Sequence, residues 1–361
     1  MLQEAVANSE RESESLTNRL LGWNWAIPSI PHFQRPEKPQ SGELVKLDSI
    51  PLATRSGYTR SPTYSSFILD KLWRMTWSYL ALDFCSVFMM KDSYFILGPE
   101  TPHPLPPLLA RLPNPILEAW RSALSLVGVL SAITLIFSFD QVLRCLLLRR
   151  IRHSFGPRLD LWHYASIFGS FSAVLDRGLT GFWGGWWHQT FRAAFTAPSA
   201  WLARRGLLDP RSPAGAALTA LIAFAQSSAL HAAGGATTVP SGTVWWDPPT
   251  FFLLSWVGVV VQGAAVRSSR LLATRALSGS PPRWLRRAGN LAFVVVWLHF
   301  TRWAFVDDLC RAAIWLFEPV PVSPLRALGF GMPGDTWWRW DRDLFPRWYV
   351  GRHWWETGLA L

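Results

Sequence analysis

The sequence has little charge. Of its 361 residues only 16% are Asp, Glu, Lys or Arg, whereas an average soluble domain carries about 25%. Half of the residues are hydrophobic and 23 are tryptophan, whose apolar ring and single N–H suit a membrane–water interface. This composition argues against a soluble domain and favours an integral membrane protein.

Cysteine is scarce as well. Cys85, Cys145 and Cys310 are far apart and match no CxxC or zinc-ligand spacing. We therefore expect neither a disulfide framework nor a metal site. The polar, acidic start MLQEAVANSERESESLTNRL does not resemble a signal peptide, so membrane insertion is expected to depend on internal segments.

Motifs of soluble enzymes are missing too. The sequence contains no P-loop, no dinucleotide-binding glycine pattern and no GxSxG elbow. No Asp stands four or five residues after any histidine, so no compact His-to-Asp catalytic pair is present. There is also no internal repeat of the kind that transporters often show.

Basic residues outnumber acidic ones, 35 to 24, which gives a formal net charge of +11. Such charge either contacts nucleic acid or flanks membrane helices on their cytosolic side. The arginines cluster between long apolar runs. We therefore predict a lipid bilayer as partner and no nucleic acid.

Three uninterrupted apolar runs predict membrane spans. Ser122–Phe139 holds 18 residues without a charge, close to the ~20 that a span needs. Between Arg211 and Arg267 the only charge is Asp247, which leaves room for spans near 214–236 and 250–266. The loop joining those two has no Lys or Arg, whereas its neighbours hold four and six arginines. The positive-inside rule therefore places the joining loop outside and its neighbours in the cytosol.

The predicted fold is an all-α polytopic bundle of roughly five to eight membrane spans. Residues 1–60 read as a polar, Pro-containing lead-in, and 61–361 as the membrane domain. A further span is expected at 288–306, broken by His299 and Arg302. Residues 159–192 have basic flanks on both sides, so this segment must cross twice, re-enter, or lie in the interface.

His231 is the strongest candidate for chemistry. On a helix Ser227 and Ser228 lie on the same face, four and three residues before it, and two glycines follow. An ionisable residue inside a span is a functional hypothesis by default, although a structural histidine bonded between helices is the alternative. For His299, beside Arg302, packing and functional roles are equally open.

The stretch GFWGGWWHQTFR, Gly181 to Arg192, is the second candidate. An aromatic belt at the membrane boundary would explain its tryptophans. It would not explain three glycines, each costing about 1 kcal/mol in a helix, or the pair His188–Gln189. Backbone freedom or a close approach is therefore expected here.

These residues carry a family resemblance. FWGGWWHQTFR resembles the Phe-Trp-Gly-x-x-Trp-His-Gln signature of the wax-synthase branch of membrane-bound O-acyltransferases. SSALHAAGG resembles that branch's Ser-x-x-x-His-x-x-Gly segment. LLGWNWAIPSIP, Leu20 to Pro31, and YLALDF, Tyr79 to Phe84, are similar to its upstream segments. One departure stands out: Gly185 and Trp186 occupy positions where many relatives have an arginine pair.

The resemblance implies a many-helix acyltransferase of the endoplasmic reticulum membrane, with an acyl-CoA donor such as acetyl-CoA, an alcohol acceptor and no permanently bound cofactor. It implies His231, His188 and Gln189 as catalytic residues. We expect Trp183, Trp187, Ser227 and Ser228 to contact substrate. Arg149, Arg150 and Arg204 are candidates for the CoA phosphates, although topology alone also accounts for them.

The version seen here resembles fungal members that acetylate terpenoid or polyketide secondary metabolites. Three alternatives stay open: a wax ester synthase acting on long-chain alcohols, a transporter using its intramembrane histidines, and an inactive membrane protein that binds a partner. Oligomeric state is not predicted.

Overall fold

The computed structural model describes residues 52–53, 57–100, 105–150, 161, 164–238, 243–276, 281–340 and 347–360. Within these ranges the regular secondary structure is helical apart from one two-stranded sheet and two isolated β-bridges, so the predicted all-α membrane bundle is confirmed. Most of the predicted lead-in, including Leu20–Pro31, lies outside the described residues.

The elements follow one another in a simple order. The α-helices are α1 Tyr64–Met89, α2 Ser93–Leu97, α3 Pro107–Ala110, α4 Asn114–Arg150, α5 Ser172–Gly181, α6 Arg192–Arg204, α7 Pro213–Thr238, α8 Asp247–Ala276, α9 Arg283–Thr301, α10 Trp303–Arg311 and α11 Pro324–Ala327. A π-helix, Phe182–Trp186, continues α5, and short 3-10 helices lie at Ile314–Leu316 and Trp354–Glu356. Strands β1 Arg347–Tyr349 and β2 Gly358–Ala360 pair antiparallel, with Trp348 opposite Leu359.

Three helices are long and apolar enough to cross a membrane: α4 over Asn114–Leu147, α7 over Pro213–Thr237 and α8 over Asp247–Ser269. The spans predicted from Ser122–Phe139, 214–236 and 250–266 are thereby confirmed. Helices α9 and α10 pass together as a fourth candidate, bent by 44°. The bend falls at Arg302, where the sequence predicted a break.

The range of five to eight spans exceeds the three or four found in the described part of the chain. Part of the difference is α1. This helix has 26 residues, enough to span, but it carries Asp70, Lys71, Arg74 and Asp83. Of these, Lys71 and Asp83 are buried.

The described chain divides into two compact units. The first holds its residues up to Leu72 together with those of Phe137–Asp308. Here α7 packs along α8, α6 contacts α7, and α9 packs against α5. Trp183 contacts two apolar clusters of this unit, which are formed by Val174, Leu179, Phe182 and Val294, and by Phe224, Phe251, Phe252 and Ala304.

The second unit comprises Trp73–Ile136 and Leu309–Leu361. Ion pairs hold it together: Arg121 Nε donates to the buried Asp92 at 2.7 Å, and Asp92 in turn caps α2. Glu318 accepts hydrogen bonds from Arg326 and Arg339. None of the predicted site residues belongs to this unit, so the candidate site is built within the first.

Candidate active site

Helix α5 is broken at Gly178. The residue has φ +59° and ψ −134°, a conformation that only glycine adopts without strain. A Cβ there would also collide with the side-chain amide of Gln262. The backbone N–H of Leu179 instead donates to Gln262 Oε1 at 2.8 Å. A backbone group freed by the break is thus paired, as a buried polar group must be.

Two side-chain amides from other helices hold this break, and we call Gln262 and Asn290 the amide brace. Gln262 Nε2, from α8, donates to Asn290 Oδ1 at 3.1 Å. Asn290 Nδ2, from α9, donates to the carbonyl oxygen of Leu175 at 2.8 Å. The brace therefore joins α8 and α9 to both sides of Gly178.

A π-helix follows directly. Phe182–Trp186 forms five residues of this wider helix, a form that is rare and frequent at functional sites. A Cβ on Gly181 would collide with the carbonyl oxygen of Ala173, so this glycine permits a close backbone approach. The ten residues of α5 and the five of the π-helix fall short of the ~20 needed to span.

Trp183 is the centre of an aromatic cluster. Its ring centroid lies 4.9 to 6.1 Å from those of Phe182, Trp187, Phe224, Phe251 and Phe252. Its indole Nε1 is buried and makes no hydrogen bond within the described part of the chain. Trp183 and Trp187 therefore form an apolar wall with one unused donor.

The side-chain amide of Gln189 holds the local backbone. Its Nε2 donates to the carbonyl oxygens of Trp183 and Trp187, at 3.0 and 2.6 Å. Its Oε1 accepts from Arg192 Nη1 at 3.1 Å. Because both ends of the buried amide are engaged, Gln189 secures the turn after the π-helix and has no donor left for a reacting oxygen.

His188 lies beside this turn. Its ring centroid is 5.4 Å from that of Trp187, and its Nδ1 is buried without a hydrogen-bond partner among the described residues. Burial lowers the pKa of His188 to about 4, and the neighbouring His231 adds to the lowering. The imidazole is therefore neutral at physiological pH and can donate or accept one hydrogen bond.

His231 lies on α7 between two phenylalanines. Its ring stacks on Phe252 at 4.9 Å and meets the edge of Phe305 at 5.2 Å. The rest of the side chain is exposed, and a Cβ on Gly234 would meet no described atom within 4 Å. The space beside Gly234 is therefore open, whereas a Cβ on Gly235 would contact Asp308 and Thr243.

The two serines on the same face differ. Ser228 is buried, and its hydroxyl donates to the carbonyl oxygen of Phe224 at 2.8 Å, four residues back on its own helix. Ser227 is half-buried. Ser227 is the freer of the two to contact a substrate, although that role stays a prediction.

The structure brings the two histidine motifs together. Trp183 and His231 both contact Phe252, and Trp187, four residues after Trp183, contacts the ring of His188. The other candidates lie elsewhere: Arg204 is exposed at the end of α6, and the side chains of Arg149 and Arg150 are outside the described set. His299 contacts Phe300 near the end of α9.

Sequence reasoning missed four residues of this site: the amide brace and the phenylalanines that hold His231, Phe252 and Phe305. Gln262 carried a signal, because a polar amide in the apolar run VVVQGAA is costly in a membrane unless it is paired. The phenylalanines carried none, since their type is ordinary in any apolar helix.

Comparisons with known proteins point in one direction. Residues 164–254, which contain His188 and His231, match the model of the Membrane bound O-acyl transferase family. A stretch of 53 residues is 45% identical to the acetyltransferase nanB of Aspergillus nanangensis, and covers 15% of this chain and 13% of that protein. The chain thus matches about an eighth of that relative's length. No solved structure matches the chain.

Proposed function

We propose that this member of the membrane bound O-acyl transferase superfamily transfers an acetyl or other short acyl group from acyl-CoA to the hydroxyl of a terpenoid or polyketide metabolite, in the endoplasmic reticulum membrane. Superfamily membership rests on the family match and the acetyltransferase relative. One observation carries the chemistry: His231 and His188, 43 positions apart in sequence, both border the aromatic cluster of Trp183, His231 through Phe252 and His188 through Trp187.

His231 acts as the general base in this proposal. Its exposed side lets an acceptor hydroxyl approach, and a neutral imidazole can accept the hydroxyl proton. The alcohol oxygen then forms a bond to the thioester carbonyl carbon. The carbonyl π electrons move onto oxygen and produce a tetrahedral oxyanion.

His188 stabilises that oxyanion. A neutral imidazole carries one N–H, and a hydrogen-bond donor aimed at a developing oxyanion contributes about 3 kcal/mol. When the carbonyl re-forms, the C–S bond breaks, and the CoA thiolate takes the proton held by His231. Gln189 does not donate in this scheme, because its amide is bonded to the backbone.

The aromatic wall favours transfer over hydrolysis. Trp183, Trp187 and the surrounding phenylalanines present apolar rings, which exclude water from the thioester and strengthen the hydrogen bond to the oxyanion.

The test compares purified protein in detergent with His231→Ala and His231→Gln. Each is supplied with acetyl-CoA or longer acyl-CoAs and candidate alcohols, and ester formation is followed by mass spectrometry. We expect both variants to lose at least about 100-fold in kcat. His299→Gln, a histidine of α9 outside the cluster, is the matched control and should retain activity.

Two results would count against the proposal. Full ester formation by folded His231→Ala would exclude the base, and intact thioester with every acceptor would favour a non-enzymatic membrane protein. A preference for long-chain acyl-CoA and fatty alcohols would make the protein a wax ester synthase instead.

A further inference from the structure

Two arginines converge on consecutive glycines of the π-helix. Arg192 Nη1 donates to the carbonyl oxygen of Gly184 at 3.0 Å. The guanidinium of Arg177 occupies the space beside Gly185, because a Cβ added there would collide with its Nη2. Since adjacent Cα atoms are 3.8 Å apart, the two guanidinium groups lie within about 10 Å of each other. We call them the arginine pair.

The arginine pair has no carboxylate partner among the described residues. Among the described residues Arg192 donates only to neutral oxygens, those of Gly184 and Gln189. Arg177 makes no hydrogen bond or ion pair with any residue that the structure describes, and both side chains are exposed. The nearest acidic residue in sequence, Asp176, is held by Arg287 at 2.7 Å and by Arg283 at 3.6 Å. Two guanidinium groups that meet no described carboxylate therefore lie beside the π-helix.

Gly185 makes this arrangement possible. Any larger residue would push the Arg177 guanidinium away from the backbone. The next residue, Trp186, packs against Phe168 and Phe171 at 5.5 and 5.4 Å. Gly185 thus leaves room for the guanidinium of Arg177, which belongs to α5, and Trp186 makes the apolar contacts.

We propose that Arg177 and Arg192 bind the phosphate groups of the acyl-CoA donor. Guanidinium groups recognise phosphate oxygens through paired, charge-assisted hydrogen bonds, and His188 follows the same π-helix by two residues. The inference rests on the proposed donor, and it assigns the phosphates to this pair in place of Arg149, Arg150 and Arg204.

The experiment measures binding rather than turnover. Full-length protein in phosphatidylcholine nanodiscs is titrated with CoA, with 3′-dephospho-CoA and with pantetheine, which lacks all the phosphates. For Arg177→Gln we expect the Kd for CoA to rise about tenfold while that for pantetheine stays unchanged. Arg211→Gln, an exposed arginine just before α7, is the matched control and should change neither.

Gly185→Ala provides a second variant that keeps the charge. Its Cβ displaces the Arg177 guanidinium, so the Kd for CoA should rise severalfold with pantetheine again unaffected. Equal weakening of CoA and pantetheine would show a general distortion and overturn the assignment. An unchanged Kd for CoA in Arg177→Gln would overturn it as well.

The phosphate of a lipid headgroup is the competing source. Nanodiscs containing phosphatidic acid separate the two: if Arg177→Gln reduces association with this lipid but leaves CoA affinity intact, the donor assignment fails. Failure of the proposed function gives a different result from failure of the phosphate site. If CoA binding depends on the arginines but no ester forms, the proposed function is wrong and the phosphate site is supported. If ester forms but the affinity for CoA does not depend on Arg177, the proposed function is supported and the phosphate site is wrong.

Discussion

His188 follows a segment that leaves regular α-helical geometry twice within 15 residues, at Gly178 and in the π-helix. His231 instead lies within α7, which runs as one helix for 26 residues. The first segment is held by side-chain amides from two other helices. The second satisfies its backbone internally, as membrane helices do. One histidine is thus fixed by distant polar partners, and the other by its own helix and apolar rings.

This difference predicts unequal tolerance to substitution. In the broken segment Gln262 and Asn290 pair with backbone groups of Leu179 and Leu175, so the loss of either side chain leaves a buried backbone group unpaired. In α7 a lost side chain leaves the backbone bonds intact. The following substitutions test the contrast, from the largest expected effect to the smallest.

Removing the centre of the amide brace should have the largest effect. Gln262→Leu leaves the backbone N–H of Leu179 and the side-chain Oδ1 of Asn290 without their partners, and each buried unpaired group costs about 1–3 kcal/mol. We expect a total loss of roughly 3 kcal/mol, measured as a fall in Tm followed by tryptophan fluorescence in detergent.

The matched control is Gln226→Leu on α7. Gln226 Nε2 donates to the carbonyl oxygens of Phe195 and Ile222, at 2.8 and 3.0 Å, both of which belong to helices with their own backbone bonds. We expect a loss of about 1 kcal/mol or less. Equal falls in Tm for the two variants would contradict the comparison.

A glycine pair gives the next contrast. Gly178→Ala places a side chain at φ +59° and against Gln262, which should cost about 2 kcal/mol. Gly234→Ala on α7 meets no described atom and gains helix propensity, so it should be neutral or more stable by up to about 1 kcal/mol. Thermal unfolding in the same detergent checks both, and similar behaviour of the two would show that Gly178 is unstrained.

The smallest effect, measured between pH 7 and pH 6, is the pH dependence caused by His188. The pKa of His188 is lowered to about 4 in the folded protein and is about 6.5 in an unfolded chain. Between pH 4 and pH 6.5 His188 is therefore protonated in the unfolded state and neutral in the folded state. The contribution of the neutral His188 to the free energy of unfolding is fully present above pH 6.5. It is lost as the pH falls toward 4, by up to about 1.4 kcal/mol per pH unit.

His188→Gln removes this titration. We expect the Tm advantage of the wild type over the variant to shrink steadily from pH 6.5 to pH 4 and to stay constant above pH 7. Other groups titrate equally in both proteins and cancel in the difference. A constant advantage across the whole range would mean that His188 is not held neutral by burial.

Features that depend on local composition could be predicted from the sequence. The spans of α7 and α8 followed from the scarcity of charge between Arg211 and Arg267, and the bend between α9 and α10 from Arg302. The glycines of the π-helix indicated an irregular backbone. These signals are local, because a charge or a glycine changes the cost of a helix in lipid at its own position.

Features that depend on distant pairing could not be predicted. Gln262 reaches Leu179 across 83 residues, and Asn290 reaches Leu175 across 115. Gly178 was not singled out, since an isolated glycine is common in helices. Arg149, Arg150 and Arg204 were chosen for the CoA phosphates by their basic loops, whereas Arg177 and Arg192 reach neighbouring glycines of the π-helix from different helices.

The amide brace also orders events in time. A ribosome adds roughly 5–20 residues per second, so Gln262 is made roughly 4 to 17 s after Leu179, and Asn290 later still. Until then the newly made segment at Gly178 has an N–H and a carbonyl without their final partners in a lipid environment. Both histidine motifs are therefore translated before the site that joins them can close, and a chain stopped ahead of Asn290 would carry the two motifs without the geometry that unites them.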